Sequence, residues 1–269
     1  MTGQDGCSRK NNWLAALLAL TIILVGCTAR KQTKFFDLAE EKIQGGSYFE
    51  AADAFRRGIA LNPESRLALK ALFRLGFVQE VYLRDYESAL GSYQEYLRLR
   101  REPIGQYEVQ KRVANIYFDY VQDPERSVTA YRKLLDLQAD SLEKDQFIYR
   151  IGRSYFLQNN FELARSQYQA LIDSVPKSQL VPKARFEIGN TYFMEAKYRL
   201  AIDAFKQVVR YHPQHPQAIE AQFWIAQSLE QLGEGLAART QYEQLRLKYP
   251  IPELIEKRLQ DIDKRGKKK

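Results

Sequence analysis

Residues that carry chemistry are scarce in this chain. Its 269 residues include two Cys, two His, two Trp and two Met. His212 and His215 flank Pro213 with no Cys or acidic companion beside them, so there is little from which to build a metal site or a catalytic triad. Carboxylates such as Glu40, Glu41, Asp261 and Asp263 read as solvated helix charges, and no pair stands out as an acid/base couple. The pattern Gly-x-x-x-x-Gly-Lys is missing, which excludes the common phosphate loop. Gly (14) and Pro (9) are few while 45% of residues are hydrophobic, so the chain lies outside the disordered regime and has the means to bury a core. No alternating apolar stretch argues for strands. The expectation is therefore a helical protein without catalytic, metal or cofactor residues.

An excess of negative charge is also lacking, and the formal charge is +8. That figure is uneven along the chain. Arg9 and Lys10 lie before the first apolar run, Arg30, Lys31 and Lys34 just after it, and Lys264, Arg265, Lys267, Lys268 and Lys269 at the end. Between Phe35 and Asp263 there are 31 basic and 32 acidic residues, a net charge of −1. A nucleic-acid-binding body needs its basic excess on a folded face, and this one has none to place there.

The apolar run itself, Trp13 to Leu24, is too short to span a bilayer comfortably, which takes about 17 to 25 residues. Preceded by Arg9 and Lys10, it has the layout of a secretory signal peptide covering residues 1–26. Its ending, Leu24-Val25-Gly26-Cys27, resembles the bacterial lipobox, in which the Cys is acylated and becomes the mature N-terminus. Cys7 would be removed, leaving one Cys and no intramolecular disulfide. The resemblance implies a covalent lipid on Cys27 and no other cofactor. Thr28, where inner-membrane lipoproteins usually carry Asp, implies the outer membrane, facing the periplasm. Residues 27–34 read as the lipidated Cys and a polar tether, which at about 3.5 Å per extended residue reaches roughly 25 Å.

One frame fills the remainder. Phe55, Tyr93, Tyr131, Tyr168, Phe205 and Tyr242 recur at spacings of 38, 38, 37, 37 and 37. Four residues before each stands a small residue (Ala51, Ala89, Ser127, Ala164, Ala201 and Ala238). Another small set, Ala39, Gly76, Ala114, Gly152, Gly189 and Ala226, marks a preceding helix, and Pro63, Pro176, Pro213 and Pro250 close four units. The physical reading is helix pairing: a small residue lets two backbones approach, and an aromatic one turn away fills the wedge where they diverge. Ala201, Ile202, Phe205, Val208 and Val209 form one apolar helical face. Gly45-Gly46, Asp123-Pro124, Asn159-Asn160 and Gly233 mark turns between helices.

This frame resembles the tetratricopeptide repeat (TPR), most fully at Ile188-Gly189-x-x-Tyr192 followed by Tyr198, Ala201, Phe205 and Pro213. Gly152, Tyr155, Ala164, Tyr168 and Pro176 match equally well. Two departures stand out: the family's Trp position holds Leu72, Gln110, Ile148, Arg185 and Gln222, and the period exceeds 34. The resemblance implies an all-α, right-handed solenoid of about six helix pairs over residues 35–250. The units lie near 35–65, 68–103, 106–140, 144–177, 181–214 and 217–250. Residues 251–269 form a capping helix, amphipathic over Pro252 to Ile262, and a basic tail. The tail reads either as a contact for anionic lipid or as a solubilising segment. The longer unit is similar to that of envelope TPR proteins of the BamD and CpoB types.

The resemblance also places two positions of each first helix, two turns apart, toward a concave groove. In the third to sixth units these positions supply Phe118, Tyr149, Phe156, Phe186, Phe193 and Phe223, a nearly continuous aromatic strip. Either the strip docks a peptide segment of a partner or its rings pack between units. The expected role is a non-enzymatic, lipid-anchored periplasmic scaffold that binds envelope proteins through this face. Outer-membrane protein assembly leads. Coordination of cell-wall synthesis with envelope constriction, or service to a pilus or polysaccharide exporter, follows. Sugar stacking beside Asn115, Asp119, Asn190 and Gln227 is a third reading, of another class. Neither nucleic acid nor metal is expected, and the oligomeric state stays open.

Overall fold

The computed structural model describes residues 26–100, 105–137 and 142–266. The expected signal peptide, Gly26 apart, and Lys267 to Lys269 lie outside the described residues. Among the described residues there are helices and no strand, and no helix is long and apolar enough to cross a membrane. Helix α1 covers residues 26–44. It is followed by α2 (Tyr48–Leu61), α3 (Arg66–Phe77), α4 (Tyr86–Leu99), α5 (Tyr107–Asn115) and α6 (Pro124–Leu137). Then come α7 (Lys144–Leu157), α8 (Phe161–Ser174), α9 (Val181–Met194), α10 (Tyr198–Tyr211), α11 (Pro216–Gln231), α12 (Gly235–Leu245) and α13 (Pro252–Gly266). The chain divides into two compact units, residues 1–116 and 117–269.

Each turn inside a helical hairpin is built in the same way. Gly46, Arg84, Gln122, Asn159, Ala196 and Gly233 all adopt a left-handed conformation, with φ between 53° and 77°. Only two of the six are glycine, although a left-handed L-residue such as Ala196 costs roughly 1–2 kcal/mol. What offsets the cost is the hydrogen bond that the turn allows. The N–H groups of Ser47, Asn160, Lys197 and Glu234 each reach back five residues to the carbonyls of Lys42, Tyr155, Tyr192 and Leu229, at 2.8–2.9 Å. These carbonyls would otherwise lack partners at the helix end.

The same turns explain the uneven period. In the second and third hairpins the small residues of the two helices are 13 apart (Gly76 to Ala89, Ala114 to Ser127), against 12 elsewhere (Gly152 to Ala164). The extra residue is absorbed as a π-helical turn, Val78–Tyr82 after α3 and Ile116–Tyr120 after α5. Accordingly Asp85 and Asp123 reach back six residues, to Gln79 and Tyr117. A one-residue insertion is thus taken up within the helix, and the left-handed turn that follows keeps its place.

Under the aromatic of each hairpin the small residue is obligatory where it is glycine. A Cβ on Gly76, Gly152 or Gly189 would lie 2.5–2.6 Å from the ring of Tyr93, Tyr168 or Phe205. Those three rings are fully buried. At the chain's end, Ile255 and Leu259 of α13 join a core with Phe223, Tyr242 and Leu245, so α13 covers the apolar face of the last hairpin.

The polar segment after Cys27 departs from expectation. Residues 28–34 are helical rather than extended, so at about 1.5 Å per residue they span roughly 10 Å instead of 25 Å. The cause is Gln32, which is only 3% exposed. Its amide nitrogen donates to the carbonyls of Gly58 (3.0 Å) and Asn62 (3.1 Å), and its carbonyl oxygen accepts from Ser65 Oγ (2.8 Å). A buried glutamine with every bond satisfied fixes the helix where composition alone suggested a loose linker.

Candidate partner-docking face

Cys27 lies exposed in the first turn of the described α1. The six aromatic residues of the expected strip all belong to the second compact unit. None of them is exposed. Tyr149 and Phe223 are buried, at 8% and 7% exposure, and Phe118, Phe156, Phe186 and Phe193 are half-buried.

Their rings are engaged within their own hairpins or the next. Phe118 meets Tyr131 edge-on with centroids 6.2 Å apart, and Phe186 meets Phe205 at 5.3 Å. Phe156 packs on Phe161 and Phe193 on both Tyr198 and Trp224. Phe223 stacks on Tyr249 at 4.9 Å and meets Tyr242 at 5.8 Å. Cations sit over several of these rings: Arg150 over Phe118 (4.8 Å), Arg153 over Phe156 (5.1 Å) and Lys183 over Tyr149 (5.0 Å). The face is therefore a row of ring edges and guanidinium groups, not a bare aromatic strip.

Beneath it runs a polar network that spacing alone did not reveal. Glu187, 6% exposed, accepts from Tyr149 Oη (3.1 Å), Asn190 Nδ2 (3.0 Å) and Arg153 Nη1 (3.4 Å). Arg150 donates to Tyr131 Oη (2.7 Å) and to Asp119 (2.8 Å). In the first unit Tyr93 Oη donates to Glu80 (2.6 Å), which Arg112 also holds (3.0 Å). Burial first, and Glu187 next, push the Tyr168 hydroxyl well above the ordinary tyrosine range. A signal for these partners does exist in the sequence: Arg112, Arg150 and Glu187 each follow a repeat tyrosine by 19 residues, whereas the residue 19 after Phe205 is Trp224. The position is charged after Phe55 too, where it holds Arg74, so a charge there does not require a ring hydroxyl; after Phe205 an indole fills it.

Among the described residues no group of three His, Cys, Asp or Glu side chains is placed to hold a metal ion. His215 instead caps α11, its Nδ1 accepting from the Gln217 N–H at 3.2 Å.

Models of the tetratricopeptide repeat match residues 146–178 and 186–250, that is α7–α8 and α9–α12. These two stretches are tetratricopeptide repeats. Solved structures extend the likeness of fold over most of the chain. PilW, a type IV pilus biogenesis factor, matches with a TM-score of 0.51 at 18% identity, over 86% of this chain and 97% of its own. A tetratricopeptide repeat protein from Parabacteroides merdae matches with a TM-score of 0.53 at 15% identity, over 89% and 93%. A chain of the Naa15/Naa10 complex bound to HypK-THB reaches a TM-score of 0.68 at 15% identity, over 87% of this chain and 34% of that one. Among curated protein sequences none matches this chain. The TPR fold is a typical non-catalytic scaffold for protein interaction, and the half-buried rings lie on the first helices of its hairpins.

Proposed function

We propose that this chain is a non-enzymatic scaffold, anchored by a lipid on Cys27 to the outer membrane on its periplasmic side, that holds envelope proteins for outer-membrane protein assembly. The observation that carries this reading is the pairing of an exposed Cys27, directly after an apolar run ending Leu24-Val25-Gly26, with a body of helical hairpins. An anchor at one end and hairpins along the rest suit a protein that positions others near a lipid surface. The accessible edges of Phe118, Phe156, Phe186 and Phe193, with Arg150 and Arg153 beside them, supply the docking face; Tyr149 and Phe223 serve as its packed support. Rings set among guanidinium groups favour a partner segment that combines apolar and acidic side chains.

A second reading is support of a pilus. PilW is a type IV pilus biogenesis factor whose chain is matched over 97% of its length; at 18% identity that match speaks for fold alone.

Cys27→Ala tests the anchor: the protein is expected to leave the membrane fraction, and continued sedimentation with membranes counts against lipidation. Crosslinking of the acylated protein from Phe156 and Phe193 in intact envelopes tests the partner. Recovery of a β-barrel assembly factor supports the first reading, a pilus component the second, and a cell-wall synthase would replace both.

A further inference from the structure

Arg185 stands where the TPR pattern places an apolar residue between paired helices. Thirty-seven residues earlier the same position is Ile148, which is buried. On α9 the guanidinium of Arg185 stacks on Tyr211 at 5.0 Å, and its Nη1 reaches Gln207 Oε1 at only 3.4 Å. Its Nε is buried with no hydrogen-bond partner. Arg210 lies over the same tyrosine at 5.5 Å. Neither arginine, nor Lys206, forms an ion pair among the described residues, whereas thirteen other arginines do.

Two adjoining cavities meet here. One, of about 360 Å³, is lined by Arg185, Lys206, Arg210 and Tyr211, with Asp203 as its one carboxylate. The other, of about 280 Å³, shares Arg185, Asp203 and Gln207 and adds Ile188, Tyr192 and Leu200. Both are lined by residues of α9 and α10, the second also by Gln169 of α8, and involve none of the strip rings.

We infer that these joined cavities bind an acidic, apolar peptide segment, with a carboxylate of the ligand on Arg185, Lys206 and Arg210 and a neighbouring apolar side chain on Ile188, Tyr192 and Leu200. The inference rests on reading the chain as a protein-docking scaffold, but it assigns a second surface, separate from the strip. Three cations against one carboxylate give the charge complementarity, and the orphaned Nε supplies a donor whose burial is otherwise uncompensated. The apolar half distinguishes a peptide from a small anion, since phosphate would fill only the cationic half. Gln207, at the junction, offers amide groups suited to a peptide backbone.

The probe is a fluorescein-labelled octapeptide of alternating Glu and Leu, titrated into the full chain, with the Gln/Leu octapeptide and inorganic phosphate as companions. The acidic peptide is expected to bind, with affinity falling as salt rises. Binding should weaken by about tenfold or more in Arg185→Ile, and likewise in the exposed double variant Lys206→Gln/Arg210→Gln. The double variant changes no buried group, so it reads the site even if Arg185→Ile fails to fold. Equal binding by the wild type and the double variant overturns the inference, as does equal binding of the Gln/Leu peptide. Phosphate displacing the peptide at equal concentration would overturn the peptide assignment. Crosslinking from Phe156 that persists in the double variant leaves the scaffold reading standing when this one falls.

Discussion

Helices α7–α8 and α9–α10 are the same hairpin built twice, 37 residues apart, and they spend their polar groups in opposite ways. Both place a glycine beneath a fully buried ring: Gly152 under Tyr168, Gly189 under Phe205. In the first, Ile148 fills the helix interface, and a carboxylate, Glu187, lies near the tyrosine hydroxyl. In the second the matching positions hold Arg185 and Trp224, so the ring packs on Phe186 and Trp224 while the cation turns outward onto Tyr211. The frame demands a small residue and a large ring. It leaves open where the charges go, and that freedom gives the second hairpin a cationic cavity at the position where the first buries Ile148.

The sharpest way to break the comparison is to remove the ring. Phe205→Ala and Tyr168→Ala each empty a fully buried site, and each should cost about 3–5 kcal/mol in urea unfolding. If one hairpin tolerates the loss with less than about 1 kcal/mol, the rings are not equivalent wedges and the shared frame is a coincidence of spacing.

Exchanging the hydroxyl is a finer cut. Tyr168 Oη is buried and makes no hydrogen bond of ordinary length, so Tyr168→Phe should change stability by less than about 0.5 kcal/mol or raise it. Phe205→Tyr puts a hydroxyl against Trp224 with no carboxylate at the matching position, and should cost about 1–3 kcal/mol. Equal effects in unfolding experiments would show that Trp224, 19 residues after Phe205, does not disfavour a hydroxyl on that ring.

Much of this was legible in advance, for a physical reason. Helix pairing imposes a small residue and a ring at fixed spacing, so Gly189, Ala201 and Phe205 announce a hairpin by themselves. The left-handed turns were legible only where Gly46, Gly233 or Asn159 marked them; Arg84, Gln122 and Ala196 adopt the same backbone, at a cost that glycine avoids, without a signature, because the six-to-one or longer hydrogen bond behind them is set by the fold. The π turns hid in a one-residue difference of period. The helical run through Gln32 was missed because its bonds are made to Gly58, Asn62 and Ser65, residues 26 to 33 positions away. At the strip, residue type placed the rings on first helices but could not tell their accessible edges from their packed faces, since that depends on which cation lies above each.

The smallest effect concerns the end of the second hairpin. His212 follows α10 with the same backbone that Val175 adopts after α8 (φ −135° and −134°), yet its Nε2 is buried without a partner. Burial first, then the positive charge of Arg185 on α9 and of the neighbouring His215, holds its pKa below the ordinary 6.5. The unfolded chain therefore takes up this proton more readily than the folded one. Stability from this group is complete above pH 6.5 and is lost as the pH falls through that value toward the lower folded one. His212→Val gives the second hairpin the residue of the first, and should flatten the drop in urea midpoint between pH 7.5 and pH 5 while leaving the midpoint at pH 7.5 nearly unchanged. Arg185→Ile should flatten it in part, by removing one of the two neighbouring charges; if neither variant alters the slope, the cation at Arg185 does not reach the histidine and the two features of this hairpin are independent.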